Sequence, residues 1–187
     1  MTIQEIYSEI FTNQLRGIML HADMAKYYDF LGLDGYRVCH EYHYYDEVCN
    51  HRKLYHYMVT RHNILLKPIQ ATQEQVIPDS WYNYTRQDVD ASTKKNAVRT
   101  GLQKWVSWEK STKALYERKY KELLELGEVA DAEHLICLIK DVDRELKKAE
   151  TYLLCKESTN YDMGSIISEQ KDKKHKYKEK FKYIEWC

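Results

Sequence analysis

The scarcity of chain-breaking residues is the feature that most restricts the fold of this sequence. Its 187 residues include 6 glycines and 2 prolines, and both prolines, Pro68 and Pro78, lie in one segment. Strands joined by tight hairpins require more turn residues than this. Long stretches without a breaker, in a chain of which 31% is charged, indicate long helices and therefore an all-α protein.

Apolar residues recur at helical spacing in four stretches, which predicts helices over residues 3–31, 35–62, 93–126 and 129–156. Gly32 and Gly127 end the first and third helices, so short links create two antiparallel hairpins. Residues 63–91 form a connection long enough to travel the length of the bundle, which makes helices 2 and 3 parallel. The predicted fold is an antiparallel four-helix bundle over residues 1–157, followed by a loop and a short basic helix over 158–187.

The same periodicity predicts which face of each helix points inward. On the third helix, Glu109 lies in the apolar stripe between Trp105 and Thr112. A lone carboxylate at such a position should be paired or should have a raised pKa. On the second helix, the predicted inner stripe consists of Val38, Tyr42, Tyr45, Cys49, Tyr55 and Val59.

Charge, cysteines and motifs exclude several functional classes. The 29 basic and 29 acidic residues balance, so no overall field attracts nucleic acid or a membrane. The sequence shows no signal peptide and no apolar run of about 18 residues, and its five cysteines contain no CxxC pair, which is typical of reduced thiols. We expect a soluble cytoplasmic protein.

Catalytic motifs are absent from the sequence. No GxxxxGK[ST], GxGxxG, GxSxG or HExxH motif occurs. The sequence therefore favours a non-enzymatic protein and leaves an enzyme as the open alternative.

Two long hairpins joined by a long crossover resemble the ferritin-like superfamily. The stretch MAKYYDF before the first hairpin turn and the His- and Glu-rich second helix are also similar to that group. The resemblance is architectural and covers roughly residues 3 to 156. It implies a bundle in which inward carboxylates, typically with ExxH on two helices, hold two metal ions.

The ligand pattern that this resemblance implies is broken here. Asn13 stands where the first helix needs a glutamate, and the second helix has no ExxH. The DAEH stretch at 131–134 has the i, i+3 spacing but lies too many turns from Glu109 to share an ion with it. We therefore expect no cofactor, and predict a charge-paired buried network of Asn13, Arg52, His56 and Glu109.

Two weaker sets of residues keep a transition metal as the alternative. His21 lies among apolar residues and could be joined by an inward Glu41, although a hydrogen-bonded core histidine is the commoner interpretation. His43, Glu47 and His51 are spaced for a metal such as zinc, but their helical angle predicts a solvated face opposite the inner stripe.

Two surfaces are candidates for binding a partner. The aromatic cluster Trp81, Tyr82 and Tyr84 lies in the crossover, and interfaces favour such rings. The lysine-rich tail, with Lys174, Lys178 and Phe181, could contact a phosphate backbone. In both cases simple packing or a solvated helix is the competing interpretation.

The sequence favours a non-enzymatic interaction protein that acts as an adaptor or inhibitor. A gene carried by a phage or mobile element is one origin that we consider for it. A protein partner is expected, and a homo-oligomer is compatible with the pattern. The first alternative is a ferritin-like metal-binding or redox protein with a displaced or mononuclear site. The second is a nucleic-acid-binding accessory that acts through the basic tail.

Overall fold

The computed structural model describes residues 2–67, 69, 77 and 79–181. In these residues the chain is helical and no strand occurs, so the all-α prediction is confirmed. The observed and predicted bounds of the bundle helices differ by no more than one or two residues at any end. The helices are α1 (Ile3–Phe30), α2 (Asp34–His62), α3 (Ala91–Glu125), α4 (Val129–Ser158) and α5 (Met163–Phe181), with 3-10 turns at Asp79–Asn83 and Arg86–Asp88.

The two hairpin turns form where the sequence places glycine. Gly32 and Gly127 have φ angles of 68° and 78°, which a side chain would disfavour. The backbone amide of Leu33 donates to the carbonyl of Tyr28 at 2.9 Å, so the last turn of α1 is closed in the way that a left-handed glycine permits. The short links make α1 with α2, and α3 with α4, antiparallel neighbours.

The path between the hairpins makes α2 and α3 parallel. Asn13 on α1 donates to Thr112 on α3 at 3.1 Å, and Tyr28 approaches Gly101, so α1 and α3 run in opposite directions. A Cβ added at Gly101 would lie 1.9 Å from the Tyr28 hydroxyl, so any larger residue would displace the Tyr28 side chain. The described parts of the connection lie beside both halves of α1. The amide of Ile69 donates to Thr12 at 2.9 Å, and Trp81 packs on Tyr27 with ring centroids 5.5 Å apart.

The fifth helix packs between α2 and α4 and completes the core. It runs parallel to α2, since Lys174 pairs with Asp34 at 2.7 Å while Tyr177 contacts Tyr42 further along both helices. Gly35 permits this approach, because a Cβ there would lie 1.9 Å from the carbonyl oxygen of Gln170. Tyr177 is fully buried, so the basic tail contributes to the same core as the bundle.

The predicted inner face of α2 is correct at Val38, which is buried, but wrong in the second half of the helix. Tyr55 and Val59 are 43% and 41% exposed, whereas Leu54 and Met58 are buried in their place. The helix carries large apolar residues on two faces, so periodicity alone selects the wrong one. In the described residues no helix is long and apolar enough to cross a membrane.

Candidate functional site

A cluster of polar side chains lies in the middle of the bundle, between two apolar regions of the core. One apolar region surrounds Leu20, Met24 and Trp105, and the other surrounds Ile6 and Ile10. We call the polar side chains between them the central polar cluster. Its members are His43 and Glu47 on α2, Trp105 and Glu109 on α3, and Glu145 and Lys148 on α4.

Lys148 provides the cation of this cluster. Its Nζ atom is 2.9 Å from Nε2 of His43 and 2.9 Å from Oε2 of Glu145, and it donates to both. His43 is only 3% exposed. The rings of Trp105 and Tyr177 lie over the ammonium at 5.6 and 5.1 Å, which favours a positive charge there. Groups from α2, α3, α4 and α5 therefore surround a single lysine.

The carboxyl groups of Glu47 and Glu109 are less well compensated. Burial raises the pKa of Glu109 to about 8, even though the indole of Trp105 donates to its Oε1 at 2.9 Å. Burial and the neighbouring Glu109 raise the pKa of Glu47 to about 8 as well. Near neutral pH both side chains are largely protonated, so the cluster holds less negative charge than its composition indicates.

Three buried histidines extend the cluster along α1 and α2. Nδ1 of His21 lies 3.0 Å from Nδ1 of His40, and the ring of His21 is 5.3 Å from that of His43. Burial lowers the pKa of His21 to about 3, and burial also lowers the pKa values of His40 and His43. The three rings are therefore neutral, and their hydrogen bonds and stacking hold α1 against α2.

The predicted network around Glu109 is wrong in two of its members. Arg52 and His56 are exposed, because the true inner face of α2 is rotated away from them. Lys148 on α4 is the cation near Glu109 instead. Asn13 is partly buried and bonds to Thr112. Glu109 is 4% exposed, so its burial was predicted correctly.

The two weaker metal sets are also rearranged. His43 is buried and Glu47 faces the core, which contradicts the predicted solvated face. His51 stacks on Phe11 with ring centroids 4.0 Å apart. Glu41 binds Arg37 at 2.6 Å at the surface and does not join His21, whose neighbour is His40.

The predicted partner-binding residues are divided between surface and core. Tyr82 and Tyr84 are 57% and 44% exposed, while Trp81 is partly buried against Tyr27. In the tail, Lys178 is exposed, Lys174 is paired with Asp34, and Phe181 packs on Tyr42 with ring centroids 5.9 Å apart.

Glu145 and Lys148 were missed in the sequence although a signal was present. In ferritin-like metal sites, two helices carry Glu-x-x-His motifs that project inward. Here α4 carries Glu145-x-x-Lys148 and α2 carries Glu47-x-x-Asn50, so glutamates occupy the first position while lysine and asparagine replace histidine. A search that requires histidine at the second position passes over both.

The residues present do not fit a di-metal centre. On α1, Gly17 lies against Glu47, and a Cβ there would be 3.4 Å from the Glu47 carboxyl carbon, so this helix offers no carboxylate at that level. The ammonium of Lys148 occupies the space between His43 and Glu145. Among the described residues, no group of three or more His, Cys, Asp or Glu side chains is arranged to hold an ion.

Comparison with solved structures shows the ferritin-like fold. The chain is similar to a humanized archaeal ferritin, with a TM-score of 0.75 and 13% identity over 91% of this chain and 94% of that one. It is also similar to a mutant ferritin from the hyperthermophilic archaeon Archaeoglobus fulgidus, with a TM-score of 0.74 and 14% identity over 91% and 94% of the two chains. An open pore ferritin from the same archaeon gives a TM-score of 0.72 and 13% identity over 91% and 93%. No family model and no curated protein matches the sequence.

Proposed function

We propose that this protein is a non-enzymatic ferritin-like scaffold that binds a protein partner through the outer face of α2. The observation that carries this proposal is an apolar stripe on the solvent side of that helix. Val48, Tyr55 and Val59 are 38%, 43% and 41% exposed and follow one another at spacings of seven and four residues. The inward side of the same helix carries the polar residues His40, His43 and Glu47.

The second half of α2 is apolar on two sides, because Leu54 and Met58 face the core while Tyr55 and Val59 are exposed. A surface helix places its apolar residues toward the core and its charged residues outward. Arg52 lies between Val48 and Tyr55, which completes a 4–3–4 spacing typical of a helix-pairing seam. Aromatic residues and arginine are also enriched at protein interfaces. The stripe therefore supports a partner that presents an apolar helix face.

The stripe continues a contact that α5 already makes. Tyr42 and Tyr45 on the first half of α2 pack against Phe181, with ring centroids 5.9 and 5.8 Å apart. Val48 begins the exposed part where this contact ends. The α2 surface is thus suited to helix packing along its length, and its second half is available to a partner.

The charges along α2 indicate which partner to test first. Its first half carries the acidic residues Asp34, Glu41 and Asp46 with one basic residue, Arg37, and its second half carries Arg52, Lys53 and Arg61. An antiparallel copy of the same helix would place acidic halves beside basic halves. A second copy of this chain is therefore the first protein partner to examine.

The test compares two matched variants. Val48→Ser/Val59→Ser removes the outer stripe of α2, and Leu124→Ser/Leu154→Ser removes exposed apolar residues elsewhere, which are 44% and 67% exposed. Light scattering measures the mass of the purified proteins and so detects self-association. Cross-linking from a residue at position 55, carried out in the native host, captures a partner other than a second copy of this chain. We expect the α2 variant alone to lose self-association or the cross-linked partner. Identical behaviour of the two variants would contradict the proposal.

A metal-binding or redox role is a second candidate, which the likeness to ferritins and the inward Glu47, Glu109 and Glu145 favour. Metal analysis of protein purified without chelator tests it. If near-stoichiometric iron, manganese or zinc is found and is lost in Glu109→Ala, the metal-binding role is supported in place of our proposal.

Nucleic-acid binding through the tail has less support, because Lys173 is buried and Lys174 is paired with Asp34.

The nucleic-acid alternative requires substitutions and not a truncation, because α5 is part of the core. Lys171, Lys176 and Lys178 are exposed and can be changed to glutamine together. Loss of salt-dependent retention on DNA in this variant would support the alternative. Cytoplasmic location and a phage or mobile-element origin stay predictions of the sequence.

A further inference from the structure

The central polar cluster has the organisation of a cation site whose cation belongs to the chain. Two groups on different helices, His43 and Glu145, converge on the Nζ atom of Lys148 at 2.9 Å each. Glu109 is buried nearby and is influenced electrostatically by both Glu145 and Lys148. A positive centre surrounded by imidazole and carboxyl groups is an arrangement that a divalent metal ion also requires.

The spacing of the two groups is close to that of ligands of one ion. Nε2 of His43 and Oε2 of Glu145 are 3.6 Å apart. Zinc bonds to nitrogen and oxygen are about 2.0–2.2 Å long, so two ligands at the tetrahedral angle lie roughly 3.4 Å apart. Glu145 and residue 148 lie one helical turn apart, which places both on the same face of α4.

We propose that the ammonium of Lys148 takes the place of a metal ion in the central polar cluster, and that the single change Lys148→His converts the cluster into a site for a divalent transition-metal ion. Histidine is shorter than lysine, so its ring nitrogen stops short of the position of Nζ. The space left between this nitrogen, His43 and Glu145 accommodates an ion with bonds of about 2 Å.

The wild-type chain excludes a metal ion for two reasons. The ammonium donates hydrogen bonds to the two atoms that would be ligands, so these lone pairs are engaged. Its charge also repels a divalent cation at the same place. Tyr177 and Trp105 close the cluster around the lysine, since their rings lie over Nζ.

The test titrates Co²⁺ into the full-length wild type, Lys148→His and the control Lys147→His, whose lysine is 74% exposed on the neighbouring position of α4. We expect Lys148→His to bind about one Co²⁺ per chain, with the visible absorption of tetrahedral cobalt, at least about 100-fold more tightly than the other two proteins. Adding His43→Gln or Glu145→Gln to Lys148→His should abolish this absorption.

Two results would overturn the proposal. One is stoichiometric binding of Co²⁺ by the wild type with the same spectrum. The other is a folded Lys148→His protein, as judged by circular dichroism, that binds Co²⁺ no better than Lys147→His. If Lys148→His does not fold alone, refolding with Zn²⁺ decides the matter: recovery of helical signal supports the proposal, and its absence with Zn²⁺ contradicts it.

Discussion

Two buried polar clusters of this bundle differ in how their charges are matched. Near the start of α4, Asp131 is fully buried and accepts hydrogen bonds from Tyr57 at 3.0 Å and His62 at 2.7 Å. Tyr7 donates to it at 3.2 Å, and Arg61 pairs with it at 3.3 Å. We call these five residues the Asp131 cluster. In the central polar cluster, by contrast, one lysine serves several carboxyl groups.

The difference is visible in the direction of the pKa shifts. Burial acts to raise the pKa of Asp131, but the hydrogen bonds from His62 and Tyr57 outweigh it, and the pKa is lowered. For Glu109, burial outweighs the bond from Trp105, and the pKa rises to about 8. The number of donors therefore decides whether a buried carboxyl group is charged. The Asp131 cluster is suited to stability, and the central polar cluster retains unmatched groups.

Replacing Asp131 should have the largest effect on stability. Asp131→Ala leaves the donors of Tyr57 and His62 without their acceptor and leaves the hydroxyl of Tyr7 with only the backbone carbonyl of residue 131 at 3.4 Å, which should lower the free energy of unfolding by about 3 kcal/mol. Asp141→Ala removes an exposed pair with Arg144 and should cost less than about 0.5 kcal/mol. Urea unfolding followed by circular dichroism measures both. Equal losses of unfolding free energy in the two variants would mean that the buried Asp131 cluster contributes no more stability than an exposed ion pair.

The central polar cluster should give the protein a stability maximum near pH 6.5. The folded-state pKa of Glu47 and Glu109 is about 8 against an ordinary 4.5, so the folded protein binds more protons between these values and stability falls as the pH rises. The lowered pKa values of His21, His40 and His43 act oppositely, so stability falls as the pH drops below 6.5.

Above pH 6.5 the two glutamates give the largest change in stability, and the remaining titration of the three histidines in the unfolded chain offsets part of it. The expected net loss by pH 8 is about 2 kcal/mol, within the limit of about 1.4 kcal/mol per pH unit for each group. Urea unfolding at several pH values measures the profile. Glu47→Gln/Glu109→Gln should flatten it between pH 6.5 and 8. A wild-type profile that is already flat there would contradict the assignment of raised pKa values.

Removing the central cation should cost less than removing Asp131. Lys148→Met leaves the acceptors of His43 and Glu145 without a donor, but it also relieves the desolvation of an ammonium group. The expected loss is about 1.5 kcal/mol in urea unfolding. Lys147→Met, at a position that is 74% exposed, is the matched control and should be nearly neutral. A loss as large as that of Asp131→Ala would show that the two clusters are equally well matched.

The smallest effect is expected for one donor of the Asp131 cluster. Tyr57→Phe removes a single hydrogen bond of 3.0 Å and leaves three other partners of Asp131, so the loss should be about 1 kcal/mol. Tyr55→Phe, at a position 43% exposed on the outer side of α2, is the control and should have no measurable effect. A loss for Tyr57→Phe near that of Asp131→Ala would indicate that the donors act as one unit.

The buried faces of α1 and α3 could be predicted because their apolar residues lie on one side. Leu20, Met24 and Trp105 are fully buried, and Glu109 lies among such residues. The face of α2 could not be predicted in this way. It carries Tyr55 and Val59 outward and His43 inward, so hydrophobicity alone gives the wrong orientation. Residues from separate helices also meet across long sequence separations, as His43 and Lys148 do.

The sequence by itself determined that the chain is helical, where the two hairpins turn, and that the connection between them is long. These features follow from local chemistry: breakers are rare, glycine permits the left-handed turns, and periodicity marks the helices. Only the tertiary structure decided which side of α2 is buried, and that Lys148 and not Arg52 lies near Glu109. The physical reason is that the environment of a buried polar group is set by the helices packed around it, which are distant in sequence.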